Sequence, residues 1–338
     1  GAGGGQAASY ATGAYAQLRK QFNTSISNFE GVGEALTRIA GYTYIMNSAV
    51  SVTAGDIDQG EKPAVPSAIL KYHCTELARK VSNDAMDVHG GKAVMMGPKN
   101  YLGRGYMATP IAITVEGANI LTRNLIIFGQ GAIRCHPHLF SEMEAAAAND
   151  INAFDQALLG HGAHVMSNVS RSVFHTFTRG RLLGAPQHGA TACYYRQFAR
   201  MSLAFAVTTE MALMSLGGSL KRRESLSGRL GDVLSMMYLG SAVLKHHFDQ
   251  DSPGEDLPLL QYACDDLLYN IQSRLHEIQA NFPNRLVARL TRLLTFPAGK
   301  PYHRPLDALS HRVTALILKP GRVRDRLTEG VYIPDGNT

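Results

Sequence analysis

The stretch Ile113-Thr-Val-Glu-Gly-Ala-Asn-Ile-Leu-Thr-Arg123 carries one acidic residue, Glu116, followed by a glycine and set between β-branched residues and an amphipathic run. A carboxylate near a helix N-terminus is favoured by the helix dipole and by unpaired backbone N–H groups, so its simplest role is a terminal charge. In an apolar site the same carboxylate is a general base, because desolvation raises its pKa. Asp84-Ala-Met-Asp-Val-His-Gly-Gly-Lys92 places two glycines after a helical run. They serve as a left-handed C-cap, or they leave bare backbone that a ligand can approach. Gln17-Leu-Arg-Lys-Gln-Phe22 puts cations and an aromatic at the end of another helical run, where positive charge matches the dipole. Lys221-Arg222-Arg223 beside Glu224 reads as a solvated helix end. His136-Pro-His138 and His246-His247 invite a metal reading, but two neighbouring histidines do not make a ligand set, and we assign no metal site from the sequence.

Helical spacing dominates the elements that must carry these residues. Val32, Leu36, Ile39, Thr43 and Met46 mark one face of a helix over about 29–57. Ile69, Tyr72, Leu77, Val81, Ala85 and Val88 mark a second over 66–89. A third is expected over 10–22 and a fourth over 117–135, which together make a four-helix bundle pattern. The Gly/Pro/Met-rich passage 89–110 is too long for a plain bundle connection and reads as a functional loop. A short Ala-rich helix over 138–148 leads to Asn149-Asp150, where we place a domain boundary. Further helices follow: one marked by Leu203, Val207, Met211 and Met214, one marked by Leu230, Val233, Leu234 and Met237, and one over 255–280. Residues 180–187 and 296–301 read as loops. The expectation is all-α, with a helical bundle in 1–150 and an additional helical domain in 151–338.

The 338 residues suffice for two ordinary domains, and 45% hydrophobic residues exclude wholesale disorder. Residues 1–150 balance 12 Lys+Arg against 12 Asp+Glu, whereas 151–338 hold 21 against 15. That surplus is too mild and dispersed for a dedicated nucleic-acid binder, but it suits anionic ligands or a membrane surface. Cys74, Cys135, Cys193 and Cys264 are far apart and form no CxxC, which fits a reducing compartment. No run of 18 or more apolar residues occurs, so no spanning segment is expected. The chain opens without Met on helix-like sequence, and we expect it to be part of a longer protein.

In order and spacing, these segments resemble one family, the acyl-CoA dehydrogenases. The motifs are a helix ending in Arg19-Lys20-Gln21-Phe22, a second ending in Asp87-Val88-His89-Gly90-Gly91-Lys92-Ala93, Pro98 and Arg104, and the pair Glu116-Gly117 leading into a last bundle helix. The resemblance covers about 10–135. The run from Ile111 to Pro137, with LGGSLKRRE, RLGDVLS and NFPNR further on, is similar to the long bacterial type of this family.

The resemblance implies a C-terminal four-helix bundle, with two upstream domains lying outside this chain and the fragment inactive alone. It implies α,β-dehydrogenation of a fatty acyl-CoA to the trans-2-enoyl-CoA in fatty-acid β-oxidation. Glu116 would take the Cα proton while hydride passes from Cβ to N5 of FAD, and Gly117 would lie against the thioester. By the same resemblance, Arg19, Gln21, Phe22, Glu30, Asp87, Val88, His89, Gly90, Gly91, Ala118, Asn119 and Ile120 fall where the family contacts FAD. Some of those contacts reach the FAD of a neighbouring subunit, which implies a homo-oligomer. Electron-transfer flavoprotein as acceptor, a bacterial cytoplasmic location and peripheral contact with the inner membrane complete the expectations. The chain departs from the family pattern at Asp87, where Gln is common, and at Asn23 and Ala93, where Gly is common. It also has Val115, Ala118 and Ile120 around Glu116 in place of Tyr, Thr and Gln. Two other classes stay open at this level: a helical scaffold that kept the bundle without catalysis, and an acyl-CoA oxidase-like enzyme passing electrons to oxygen.

Overall fold

The computed structural model describes residues 1–129 and 136–333, and it is helical almost throughout. Two compact units are interleaved along the chain. The first comprises Gly1–Asn119, Ala242–Asp266 and Arg304–Thr338, and the second Ile120–Ser241 and Leu267–His303.

In the first unit, α1 (Ala2–Leu18), α2 (Glu30–Asp58) and α3 (Ala64–His89) pack on one another and carry the long helices of the expected bundle. Leu36, Ile39, Thr43 and Met46 on α2 and Ile69, Leu77, Val81 and Ala85 on α3 are buried, as their spacing predicts. Burying one such aliphatic side chain contributes roughly 1.5–3 kcal/mol. Polar residues register the helices: Ser9 Oγ donates to Thr43 Oγ1 at 3.0 Å, and Arg38 grips Asp84 through bonds of 2.9 and 2.6 Å. The short α4 (Gly91–Val94) and α5 (Gly103–Thr114) follow α3, so the passage 89–110 is partly helical where the sequence suggested a loop. Gly and Pro mask this helix in the sequence, since Gly103, Gly105 and Pro110 all belong to it.

Two further corrections concern helix ends. The helix expected over 10–22 stops at Leu18, and a hairpin of β1 (Lys20–Gln21) and β2 (Thr24–Ser25) replaces its last turn. The helix expected over 117–135 starts at Asn119 and runs without interruption to residue 129, its first turn α-helical (α6, Asn119–Leu121) and Thr122–Phe128 widened to π-helix, with 130–135 outside the described residues.

The second unit is built on α7 (Leu139–Ala148), α8 (Ile151–Phe177), α9 (Ala192–Leu216), most of α10 (Glu224–Asp249) and α11 (Leu257–Ala280), and α12 (Arg285–Thr295). Its core includes Met201, Val207, Leu230, Val233, Ile271, Leu275 and Phe296. The expected loops at 180–187 and 296–301 are irregular here. Asn149 ends α7 in the left-handed conformation, and the Asp150 carboxylate caps α8 by accepting from Ala153 N–H at 3.0 Å. The Asn149-Asp150 signal is thus a helix stop followed at once by a helix start, and the division at 150 remains a proposal about modules. α9 and its 3-10 extensions are long and apolar enough to cross a bilayer by composition. We assign it as a core helix, because Arg200 and Glu210 on it are buried and hydrogen-bonded.

The chain returns to the first unit with α13 (Asp307–Leu318) and α14 (Arg322–Leu327). Thr37 Oγ1 donates to Ser310 O at 2.9 Å, and the carbonyl of Ile317 lies where a Cβ on Gly13 would sit, so α13 packs closely on α1 and α2.

Candidate functional site

Between α5 and α6 the chain makes a turn with Glu116 at φ +57° and Gly117 at φ +94°. A non-glycine residue there is disfavoured by roughly 1–3 kcal/mol, and such strain persists only where surrounding bonds impose it. The bonds come from α3. Lys71 Nζ donates to Ile113 O (3.2 Å), Gly117 O (2.6 Å) and Asn119 Oδ1 (2.6 Å). Asn119 Nδ2 in turn donates to Thr75 Oγ1 and Glu76 Oε1, both at 2.9 Å. Asn119 is 2% exposed and its amide is engaged at both ends within the unit. Glu116 and Gly117 are exposed, Ala118 is half-buried and Ile120 is exposed. The carboxylate therefore sits on a strained, tethered turn three residues before α6, with its face open.

A second constellation forms where α1 and α3 end. Phe22 (φ +52°) and Asn23 (φ +62°) are the two central residues of the β1–β2 hairpin, the backbone a two-residue type I′ turn requires. Asn tolerates this conformation better than most residues, which explains how Asn23 stands where the family pattern has Gly. The hairpin brings Arg19, Gln21 and Phe22 to one wall of a cavity of about 850 Å³, whose other wall is Asp87, Val88, His89, Gly90 and Gly91 at the end of α3. All eight residues singled out in these two motifs thus line one cavity. Glu30 does not line it; its carboxylate is exposed on the first turn of α2, 3.8 Å from His311.

His89 builds this cavity from behind. The ring is buried, its Nδ1–H donates to Ala85 O (2.8 Å), and Tyr101 Oη donates to Nε2 (2.5 Å). Tyr15 stacks on it with ring centroids 4.2 Å apart. Burial outweighs the Ala85 bond and lowers the pKa, so the imidazole is neutral. Gly90 (φ +56°) makes the turn a side chain would oppose, and a Cβ on Gly90 or Gly91 would meet open space. The backbone there faces the cavity, with Arg19 and Lys92 as its cations.

A separate, mostly apolar cavity of about 620 Å³ is lined by Gly4, Ala7, Ala8 and Ala11 of α1, Thr75 and Ala78 of α3, and Tyr106 and Ala112 of α5. The sequence reading missed it, although small residues at helical spacing were its signal. Lys71 was missed because two of its three partners are main-chain carbonyls.

In the second unit, carboxylates reach the histidines from other helices rather than from i+3 or i+4. His136 Nδ1 accepts the N–H of His138 (3.2 Å) and Leu139 (3.0 Å), which places its proton on Nε2 facing Glu210 Oε1 (2.7 Å). His161 lies between Glu142 (2.7 Å) and Glu210 (3.1 Å). Burial lowers its pKa, but the two hydrogen bonds and the carboxylate charges together raise it. His136, His161 and Glu210 lie close enough to share a metal ion. With Nδ1 accepting two backbone N–H groups, His136 turns its Nε2–H to Glu210, and the cluster reads as a hydrogen-bonded network tying α7, α8 and α9 together.

Family profiles match the chain in two successive stretches that do not coincide with the two interleaved units. A family profile described as acyl-CoA dehydrogenase, C-terminal domain, matches residues 1–129, and one described as acyl-CoA dehydrogenase, C-terminal, bacterial type, matches 133–338. The mitochondrial very long-chain specific acyl-CoA dehydrogenase of Mus musculus is 32% identical over 120 residues, covering 35% of this chain and 18% of that protein. A 3-(aryl)acrylate reductase of Clostridium sporogenes is 34% identical over 77 residues, covering 23% and 20%. Among solved structures, an acyl-CoA dehydrogenase from Bacillus anthracis complexed with FAD superposes with a TM-score of 0.70 at 16% identity, covering 94% of this chain and 54% of that one. The chain thus spans about a fifth of these curated relatives and just over half of the solved enzyme. With a bacterial-type profile matching more than half its length, the chain belongs to the acyl-CoA dehydrogenase family.

Proposed function

We propose that this chain supplies the catalytic base and one wall of the cofactor site of an FAD-dependent enzyme that oxidises fatty acyl-CoA to trans-2-enoyl-CoA in β-oxidation. The observation that carries it is the Glu116 turn: an exposed carboxylate held at positive φ by bonds from a neighbouring helix. A scaffold module has no use for a strained acid at that place. The residues around the 850 Å³ cavity suit a dinucleotide. Arg19 offers a guanidinium fork for a pyrophosphate, Gly90 and Gly91 permit close approach, and Phe22 offers an aromatic face. When bound, FAD supplies the capacity to accept hydride.

The rest falls to this chain's own groups. Glu116 takes the Cα proton of the thioester, and its backbone N–H donates to the thioester oxygen as charge develops there. Closing the exposed face of Glu116 with cofactor and substrate desolvates the carboxylate and strengthens it as a base. That closure needs partners beyond this chain, so we expect the isolated chain to be inactive. Leu18, Phe22, Val94, Met95 and Met96 lie around the cavity's segments with large exposed apolar surfaces, which fits coverage by further domains or by a second subunit in a homo-oligomer. Electron-transfer flavoprotein as acceptor, a bacterial cytoplasmic location and peripheral contact with an anionic membrane through α12 belong to the same proposal.

The proton step can be tested alone in the FAD-loaded enzyme containing this chain. Wild type should exchange the Cα hydrogens of a bound acyl-CoA with D2O under anaerobic conditions, and Glu116→Gln should slow that exchange by about 10²-fold or more. Equal exchange in both would move the base elsewhere.

A further inference from the structure

Lys71 sits about two turns into α3, remote in sequence from the turn it holds. Its three ammonium protons find three oxygens: the carbonyls of Ile113 and Gly117 and the side-chain oxygen of Asn119. Ile113 lies three residues before Glu116, in the last turn of α5, where helix carbonyls lack intrahelical partners. Gly117 lies immediately after Glu116. One cation therefore brackets the base on both sides. Asn119 closes the circuit by donating to Thr75 and Glu76, one turn further along α3 than Lys71. The partners of Nζ are neutral oxygens, so what this lysine contributes is geometric and not a salt bridge.

The geometry matters because the held conformation is an unfavourable one. At φ +57° Glu116 does not relax into the turn on its own account. Released from Ile113 O and Gly117 O, the turn would return toward negative φ, and the carboxylate would swing away from its present direction. A displacement of about 1 Å of a catalytic group can cost on the order of 10²-fold in rate.

We infer that Lys71 is the positioning residue of the catalytic base, holding Glu116 at its reactive angle through the carbonyls of Ile113 and Gly117 and the amide of Asn119. The inference rests on Glu116 being the base. It concerns the rate of proton abstraction rather than the affinity for substrate or FAD.

The test uses the FAD-loaded enzyme containing this chain and measures stopped-flow flavin reduction by a long-chain acyl-CoA. Lys71→Met keeps the length of the side chain and removes its donors. We expect its limiting reduction rate to fall about 10- to 100-fold, with KM within about threefold of wild type and FAD content unchanged. Lys71→Arg, which can still donate to both carbonyls, should recover most of the rate. A wild-type rate in Lys71→Met would overturn the inference, and so would a joint loss of FAD and melting temperature that Lys71→Arg did not rescue. Should Lys71→Met not fold, Asn119→Ser decides: a slower reduction at unchanged KM supports the inference, and a wild-type rate overturns it. Glu116→Gln, run alongside, separates the two levels. If it reduces flavin at the wild-type rate the proposed base is wrong, whereas a dead Glu116→Gln beside a fully active Lys71→Met sinks only the role of Lys71.

Discussion

Glu116, Phe22 and Asn23 share a left-handed backbone, and in each case it lies at a candidate site. The motifs made these positions legible by residue type, but not by conformation, because neither Glu nor Phe advertises a positive φ. Arg19 and Gly90 stood out through the motifs alone, since a cation at a helix end and a C-cap glycine are ordinary by residue type. Lys71 was not, since a lysine bonded to carbonyls of a distant segment has no local signature. Asn119 illustrates the opposite hazard. It was named as a cofactor contact, and its amide is occupied by Lys71, Thr75 and Glu76. At this scale Arg19 invites a direct test. Arg19→Gln should weaken FAD binding about tenfold or more, as loss of a charge-assisted pair does, and Arg19→Lys should recover only part because it lacks the fork. Fluorescence titration of apoenzyme with FAD measures both; equal affinity in all three proteins would remove Arg19 from the site.

The elements were legible wherever apolar residues recur at helical spacing and hidden wherever burial falls to small or polar residues. α2 and α3 match their expected spans within a few residues. α8 escaped because its buried positions are Asn168, Ser172, His175 and Thr176. α12 is hidden because it is only 11 residues long and buries threonines while its leucines face outward. It is the most sharply two-sided of the described helices: Thr291 and Thr295 are buried, while Leu286, Leu290 and Leu293 are 73%, 46% and 64% exposed. Arg285, Arg289 and Arg292 run beside those leucines, and no acidic residue lies between Glu277 and Asp307. An exposed apolar strip edged by arginines suits an anionic bilayer surface. The protein should co-sediment with vesicles of phosphatidylcholine and phosphatidylglycerol and not with phosphatidylcholine alone. Replacing Leu286, Leu290 and Leu293 by Ser should abolish most of that binding. Binding that ignores lipid charge or survives the substitution would count against the proposal.

For the molecule as a whole, the all-α class was readable from apolar residues at helical spacing, and the family from four ordered motifs whose spacing is fixed by the helices that carry them. How the chain partitions in space was not. Residues far beyond 150 return to the first unit through Ala242–Asp266 and the segment from Arg304 on. Such returns depend on long-range packing of α13 on α1 and α2, and no local periodicity announces a partner. The histidines show the same limit, for Glu142 and Glu210 reach His161 from separate helices.

The central claim is that Glu116 is the base of a flavin-dependent dehydrogenation. Anaerobic addition of a long-chain acyl-CoA to the FAD-loaded enzyme containing this chain should bleach the flavin in wild type and leave it oxidised in Glu116→Gln, with FAD bound equally in both. Equal bleaching in the two proteins would contradict the assignment of the base, and a wild-type protein that binds no flavin would contradict the enzyme itself.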